Sequence, residues 1–274
     1  MHSEWSWDAP LGSMERTCEK AVELGLPAIA FTEHVDHTVW TVDPDALQPD
    51  EHLATLCSPD GELTPPRFDV AGYLEAVEKC RERFPELRIL SGMELGEPHW
   101  HAEEIAKLLR AGSFDRLIGS LHCLPIGGGG FAEPPEQFAR RPAAEVMRDY
   151  LAEIPRLVER SGVFTVLAHI DYPIRYWPTD QAGPFDLLEF EEEFRHALQV
   201  TAESGRALEI NTRLPLHSTI LRWWREEGGQ AVTFGSDAHT PSAVARGFKE
   251  AAHMAEAYGF RPGKDMLGIW GRAD

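Results

Sequence analysis

Short apolar runs recur along this chain, and each ends on a polar residue. Ala28-Ile-Ala-Phe31 leads into Thr32-Glu-His34, and Arg88-Ile-Leu-Ser-Gly92 into Met93-Glu94. Leu117-Ile-Gly-Ser-Leu121 leads into His122, and Phe164-Thr-Val-Leu-Ala168 into His169. Ala207-Leu-Glu-Ile210 leads into Asn211-Thr-Arg213, and Ala231-Val-Thr-Phe-Gly235 into Ser236-Asp237-Ala-His239. Between them the apolar positions repeat with helical period over residues 14–24, 70–84, 102–111, 142–159, 187–204, 218–226 and 241–258. Buried strands alternating with amphipathic helices predict an α/β fold with a parallel sheet, often closed as a barrel. Polar residues at the carboxyl ends of such strands converge on one face, where this architecture keeps its sites. Residues 41–67, rich in Pro, Asp and Thr, read as a long loop. Residues 125–135, with Gly127-Gly-Gly-Gly130, read as a second loop placed as a substrate lid. Four glycines without a following Lys-Ser/Thr are weak evidence for nucleotide binding.

No Ser/Gly/Pro linker and no repeat divides the 274 residues, which favours one domain. A 43% hydrophobic content supports a sizeable core, and a mean hydropathy of −0.31 is ordinary for a soluble protein. No apolar run approaches the roughly 18 residues of a membrane span, and the amino terminus shows no signal-peptide pattern. The net charge of −19 repels a polynucleotide backbone, so no nucleic-acid surface is expected, and without a spanning apolar run no membrane partner is expected either. A small anionic substrate remains compatible with that charge if metals reverse the field locally. Cys18, Cys57, Cys80 and Cys123 form no CxxC pair and read as reduced, packing thiols of a cytoplasmic protein.

A lone imidazole at a strand end carries little weight, since most are satisfied polar groups. The joint pattern is different: His34, Glu94, His122, His169, Asp237 and His239 follow five separate strands, which reads as a metal site. Asp237 and His239 lie two apart, so an extended segment would point both to one side. Arg213 at the fifth strand's end suits a phosphate, because a guanidinium fork matches two of its oxygens. Arg246 would lie a turn or two into a helix starting at the site. There, reaching substrate and standing in solvent weigh equally. Glu33 and Asp36 stay unassigned, and His37, His99, His101 and His217 read as surface imidazoles, with His99 and His101, which closely follow Glu94, the first exceptions to expect. Asp36, Asp43 and Asp45 are available to face a substrate amine.

These motifs resemble the polymerase-and-histidinol-phosphatase (PHP) superfamily of metal-dependent phosphoesterases, in its stand-alone histidinol-phosphatase branch. The resemblance spans nearly the whole chain. It is carried by His2-Ser-Glu-Trp-Ser-Trp-Asp8, Phe31-Thr-Glu-His34, Gly92-Met-Glu94, Gly119-Ser-Leu-His122, Ala168-His169 and Gly235-Ser-Asp-Ala-His239. It implies a distorted (β/α)7 barrel and two or three divalent ions, with Zn, Mn and Fe all suited to such ligands. One ion would take His2, Glu94 and Asp237, a second Asp8, His34 and His239, and a third Glu94, His122 and His169. Asp237, His239 and Arg213 would carry catalysis, with Arg213 and Arg246 on the phosphate. The implied substrate is a small phosphate monoester, histidinol phosphate, in histidine biosynthesis. Another sugar or nucleotide phosphate, a phosphodiester, and a catalytically impaired metal-binding relative are the alternatives. An amidohydrolase barrel ranks lower, because it would place a Lys where this chain has Glu94.

One departure stands out. The family's first motif is His-x-His, and only its second His is present, as His2, with no apolar run ahead of it. The first barrel strand would then lie upstream of residue 1. A Val codon GTG read as a start would turn His-Val-His into an initiating Met followed by His2. The alternative is a chain that lacks this strand natively.

Overall fold

The computed structural model describes residues 1–43, 52–263 and 268–273. Its first helix, α1 (Met14–Glu23), is capped by Ser13, whose hydroxyl accepts from Arg16 N, and buries Met14, Thr17, Cys18 and Ala21. It feeds β1 (Ala28–Val35). A small antiparallel pair, β2 (Trp40–Thr41) with β3 (Glu62–Leu63), and a 3-10 turn at His52–Leu56 occupy the span expected as a plain loop. Asp45 of that span lies outside the described residues.

Next come α2 (Val70–Arg83), capped by Asp69, then β4 (Arg88–Gly96), α3 (Ala102–Ala111) and β5 (Arg116–Ser120). The Gly-rich stretch is the tip of a hairpin formed by β6 (Leu124–Pro125) and β7 (Phe131–Ala132). It runs into α4 (Pro134–Phe138), α5 (Ala143–Arg160) and the short β8 (Val166–Leu167). Two hydrogen bonds, Thr165 N to Leu117 O and Ala168 N to Gly119 O, continue β8's pairing beyond its two residues. The chain closes with α6 (Thr179–Ala182), α7 (Glu191–Glu203), β9 (Ala207–Asn211), α8 (Ser218–Glu226), β10 (Ala231–Gly235), α9 (Phe248–Ala257), β11 (Phe260–Arg261) and β12 (Trp270–Arg272).

The central sheet has the order β1-β4-β5-β8-β9-β10-β12-β11. Strands β1 to β10 of that order pair parallel, and β12 and β11 add antiparallel at the end. Ahead of β1 no strand is present among the described residues. Met1 O instead accepts from Thr32 N (2.9 Å) and His2 N donates to Ala238 O (2.8 Å), so the first residues lie between β1 and the segment after β10.

The largest apolar cluster packs α5, α7 and α8 on the sheet, with Trp223 and Trp224 fully buried. Each large apolar side chain so buried contributes on the order of 1.5–3 kcal/mol. On the other flank Tyr73 of α2 donates to Phe31 O and accepts from Gly92 N, tying the helix to β1 and β4 together.

The expected helix over 241–258 is two pieces. A 3-10 turn at Pro241–Ala243 is followed by Ala245 and Gly247 with φ of 55° and 71°, and α9 begins only afterwards. Left-handed backbone interrupts the i→i−4 ladder, so apolar periodicity there outlasts the helix. Likewise 187–204 opens as a 3-10 turn, Leu187–Phe190, before α7. No helix among the described residues is long and apolar enough to cross a membrane.

Candidate metal centre

The parallel register sets His34 of β1 directly beside Glu94 of β4. Both lie inside their strands rather than past the ends, because β1 runs to Val35 and β4 to Gly96. His122, His169 and Asp237 follow just after β5, β8 and β10, on the same end of the sheet. Asp237 is not extended. Its φ of 48° lies in the left-handed region, which Asp tolerates better than most residues, and the turn aims its carboxylate inward. His239 faces the same centre, with Nδ1 3.0 Å from Asp237 O and 3.6 Å from Asp237 Oδ1.

The eight side chains form one continuous cluster. Glu94 Oε1 faces His122 Nε2 at 3.1 Å and His169 Nε2 at 2.9 Å, and Glu94 Oε2 lies 3.6 Å from His2 Nε2. His2 Nε2 is 3.3 Å from Asp237 Oδ1. Asp8 Oδ2 lies 2.8 Å from His239 Nε2 and 3.5 Å from His34 Nε2. The rings of His2 and His34 stack with centroids 4.2 Å apart, and His239 sits 4.4 Å from His2. Three sets bring their donor atoms within 4.8 Å of one another: His2, His34 and His239; His34, Asp36 and His122; Glu94, His122 and His169.

The charges are those of a cation's ligands. Burial, helped by His34 and His239 nearby, lowers the His2 pKa to about 3, so this imidazole is neutral at pH 7. Burial pushes the Glu94, Asp237 and Asp8 carboxyls up, but neighbouring imidazoles, with Arg175 at Asp237, overcome it and hold all three below their usual range. Burial lowers His122, yet its bonds to Asp36 and Glu94 raise it well above normal. Asp8 Oδ1 and His34 Nδ1 are buried with no hydrogen-bond partner. Closely packed imidazoles around ionised buried carboxylates, with orphaned donor atoms among them, suit divalent ions with mixed N and O ligation. The residues therefore fit the group.

The cluster floors a cavity of about 350 Å³ whose wall includes Trp7, Trp40, Glu97, Glu133, Tyr172, Arg175 and Arg213. Arg175 and Glu133 escaped sequence reading, and Asp36 was named there without a place in the cluster. Asp36 bonds Trp7 Nε1 at 2.8 Å and lies 3.4 Å from His122 Nδ1. Its place two residues after His34, just beyond β1, was the signal. Arg175, in a 3-10 turn at Tyr172–Tyr176, pairs with Asp237 Oδ2 at 2.7 Å, while its Nε and Nη2 are buried without partners. No periodicity marks that turn; the only hint is its nearness to His169. Glu133 accepts from Tyr172 OH at 2.9 Å, and burial raises its pKa to about 7.

Arg213 lines the cavity, 3.3 Å from His239 Nδ1 and 3.6 Å from Asp237 Oδ1, with its side chain 47% exposed. Arg246 is exposed and does not line the cavity. It falls in the break before α9, where its carbonyl accepts from Thr212 Oγ1. His99 is not a surface imidazole: its side chain is fully buried against Glu153 at 2.9 Å. His101 is half-buried and bonds Thr38 Oγ1, and His217 caps α8.

Comparison with known proteins gives the family and the fold. The chain is 26% identical over 261 residues to the probable histidinol-phosphatase of Deinococcus radiodurans, covering 91% of this chain and 89% of that protein. It is 35% identical over 126 residues to the probable histidinol-phosphatase of Thermotoga maritima, covering 43% and 51%. Its fold superposes with a TM-score of 0.75, at 23% identity, on the histidinol phosphate phosphatase of Lactococcus lactis, over 94% of this chain and 92% of that one. That enzyme was solved with zinc, L-histidinol and phosphate. The putative histidinol phosphatase of Listeria monocytogenes gives 0.64 at 18% identity over 91% and 97%. The family model for the PHP domain matches residues 1–213, and the chain belongs to that family.

Proposed function

We propose that this protein is a metal-dependent phosphomonoesterase whose substrate is histidinol phosphate. The observation that carries the reading is the joining of an N/O ligand cluster to Arg175, a buried guanidinium with two unpartnered donors in the same cavity. His2, Glu94 and Asp237 would hold one divalent ion, Asp8, His34 and His239 a second, and Glu94, His122 and His169 a third. Ions there supply Lewis acidity toward phosphoryl oxygen and lower the pKa of water.

The remaining work belongs to the chain. Arg175 presents Nε and Nη2 to two phosphoryl oxygens, and Arg213 reaches the same group from the rim. Both guanidiniums oppose the −19 background for an anionic substrate. Trp7, Trp40 and Tyr172 restrict water around the leaving group, and Glu133 gives the far wall an acidic group facing a cationic alcohol. The bonds of Met1 to Thr32 and of His2 to Ala238, joining the two ends of the parallel run, support a barrel-like closure of the sheet.

The test is a phosphatase screen on metal-reconstituted protein, with histidinol phosphate beside nucleotide, sugar and diester substrates. Histidinol phosphate should give the highest kcat/KM. A preference for another ester by tenfold or more overturns the substrate, and no turnover of any ester overturns the reaction.

A further inference from the structure

Glu33 takes no part in the chemistry proposed above, yet it is fully buried beside the cluster. Its Oε1 accepts from Ser3 Oγ at 2.6 Å. Its Oε2 accepts from Ser3 N at 2.8 Å and from Ser6 Oγ at 2.6 Å. Ser6 Oγ lies in turn 2.9 Å from His34 N and 3.1 Å from His2 Nδ1. We infer that Glu33 is a positioning residue that acts through Ser6 to fix His2 as its Nδ1–H tautomer, leaving the Nε2 lone pair facing Glu94 and Asp237.

With Glu33 ionised, the proton inventory forces the assignment. A carboxylate oxygen can only accept, so the single hydroxyl hydrogen of Ser6 goes to Glu33. The backbone N–H of His34 can only donate, and it uses one lone pair of Ser6 Oγ. One acceptor position remains for His2, and a neutral imidazole nitrogen in contact with an acceptor must carry the hydrogen. The proton is then on Nδ1, and Nε2 is free. That is the nitrogen lying 3.6 Å from Glu94 Oε2 and 3.3 Å from Asp237 Oδ1. A free imidazole divides its proton between both nitrogens, so without the relay part of the population would present an N–H toward the ion position. Outer hydrogen bonds of this kind typically set ligand affinity by 10–100-fold.

Glu33 also anchors the chain through Ser3, and the experiment separates the two roles. Ser6→Ala cuts the relay and leaves the anchor; Ser3→Ala removes the hydroxyl half of the anchor, keeps the bond from Ser3 N, and leaves the relay. In metal-free protein, nitrogen-15 NMR of the His2 ring should report Nδ1–H in the wild type and in Ser3→Ala, and a mixed tautomer in Ser6→Ala. Zinc affinity, measured by competition with a chromophoric chelator, should fall by roughly 10–100-fold for Ser6→Ala and stay within threefold for Ser3→Ala. A wild-type His2 protonated on Nε2, or equal zinc weakening by both variants, overturns the inference. The affinity arm rests on the metal-site reading, and a wild type that binds no zinc sinks that reading. The tautomer arm, run without metal, still decides the relay.

Discussion

Arg175 offers the sharpest test of how this cavity holds phosphate. Its Nη1 is committed to Asp237 at 2.7 Å, and the guanidinium lies over the Tyr172 ring at 5.3 Å, which fixes its plane. Nε and Nη2 remain free. A hydrogen bond to a charged group contributes a net of about 1.5–3 kcal/mol, so two on a phosphoryl group amount to about 3–6 kcal/mol. At about 1.4 kcal/mol per decade, Arg175→Ala should lower kcat/KM by roughly 10²- to 10⁴-fold. Arg213, half in solvent and screened there, should lose only about tenfold on removal. The order of the two effects follows from burial. Asp237 loses its nearest cation in Arg175→Ala but keeps His2 at 3.3 Å and Arg213 at 3.6 Å. The assay therefore uses metal-saturated enzyme, with bound metal counted and Tm recorded for each variant. Arg175→Lys restores the charge without the fork and should recover only part of the loss. If Arg175→Ala keeps kcat/KM within threefold of wild type at equal metal content, the phosphate is held elsewhere.

Four further outcomes are expected. Glu94→Gln should lose at least one ion per chain by elemental analysis, since both carboxylate oxygens face imidazoles; unchanged metal content refutes its bridging position. Chelation should lower Tm and zinc should restore it, because an ion at 100 times its Kd stabilises by about 2.7 kcal/mol; identical melts with and without metal oppose a resident ion. Glu133 has a folded pKa of about 7 against an ordinary 4.5, so the fold prefers it protonated. Its stability contribution is complete below pH 4.5 and is lost as pH rises through 7, a cost on the order of 3 kcal/mol above that. Glu133→Gln should then raise Tm at pH 8 by about 5 °C and leave it unchanged at pH 4.5; an equal gain at both pH values refutes this. A Cβ at Gly96 would overlap Asp36 Oδ1 and approach His122 Nδ1 at 3.6 Å, so Gly96→Ala should weaken metal binding as well as stability. Intact affinity would mean that Asp36 does not set the pose of His122.

The parallel strands were legible because each is a buried apolar run, and a run's end is easy to see. Six of the cluster's members were legible for the same reason, since they lie in or just past the carboxyl-terminal parts of those runs, whereas His2 and Asp8 follow no run and were marked only by the resemblance. What escaped depends on contacts that no local pattern encodes. Arg175 is delivered by an irregular turn whose place is set by Asp237, far away in sequence. The strands β11 and β12 are two and three residues long, too short for any period, and exist because β10 offers an edge. The break at Ala245 and Gly247 defeated the helical reading of 241–258, since apolar spacing persists where backbone dihedrals change. Arg246 went with it, on a segment facing solvent instead of the cavity. Asp237 reached the centre by a left-handed turn, where extended geometry had been expected.

The pairing of His34 with Glu94 in adjacent strands has a consequence for how the protein is made. Side chains alternate between faces, so sliding β1 by one position against β4 would turn His34 away from Glu94 and set Glu33 or Val35 opposite it instead. An ion that requires both side chains cannot bind such a mispaired sheet. Divalent metal present during refolding would thus proofread strand alignment, raising the yield of native protein as well as its final stability.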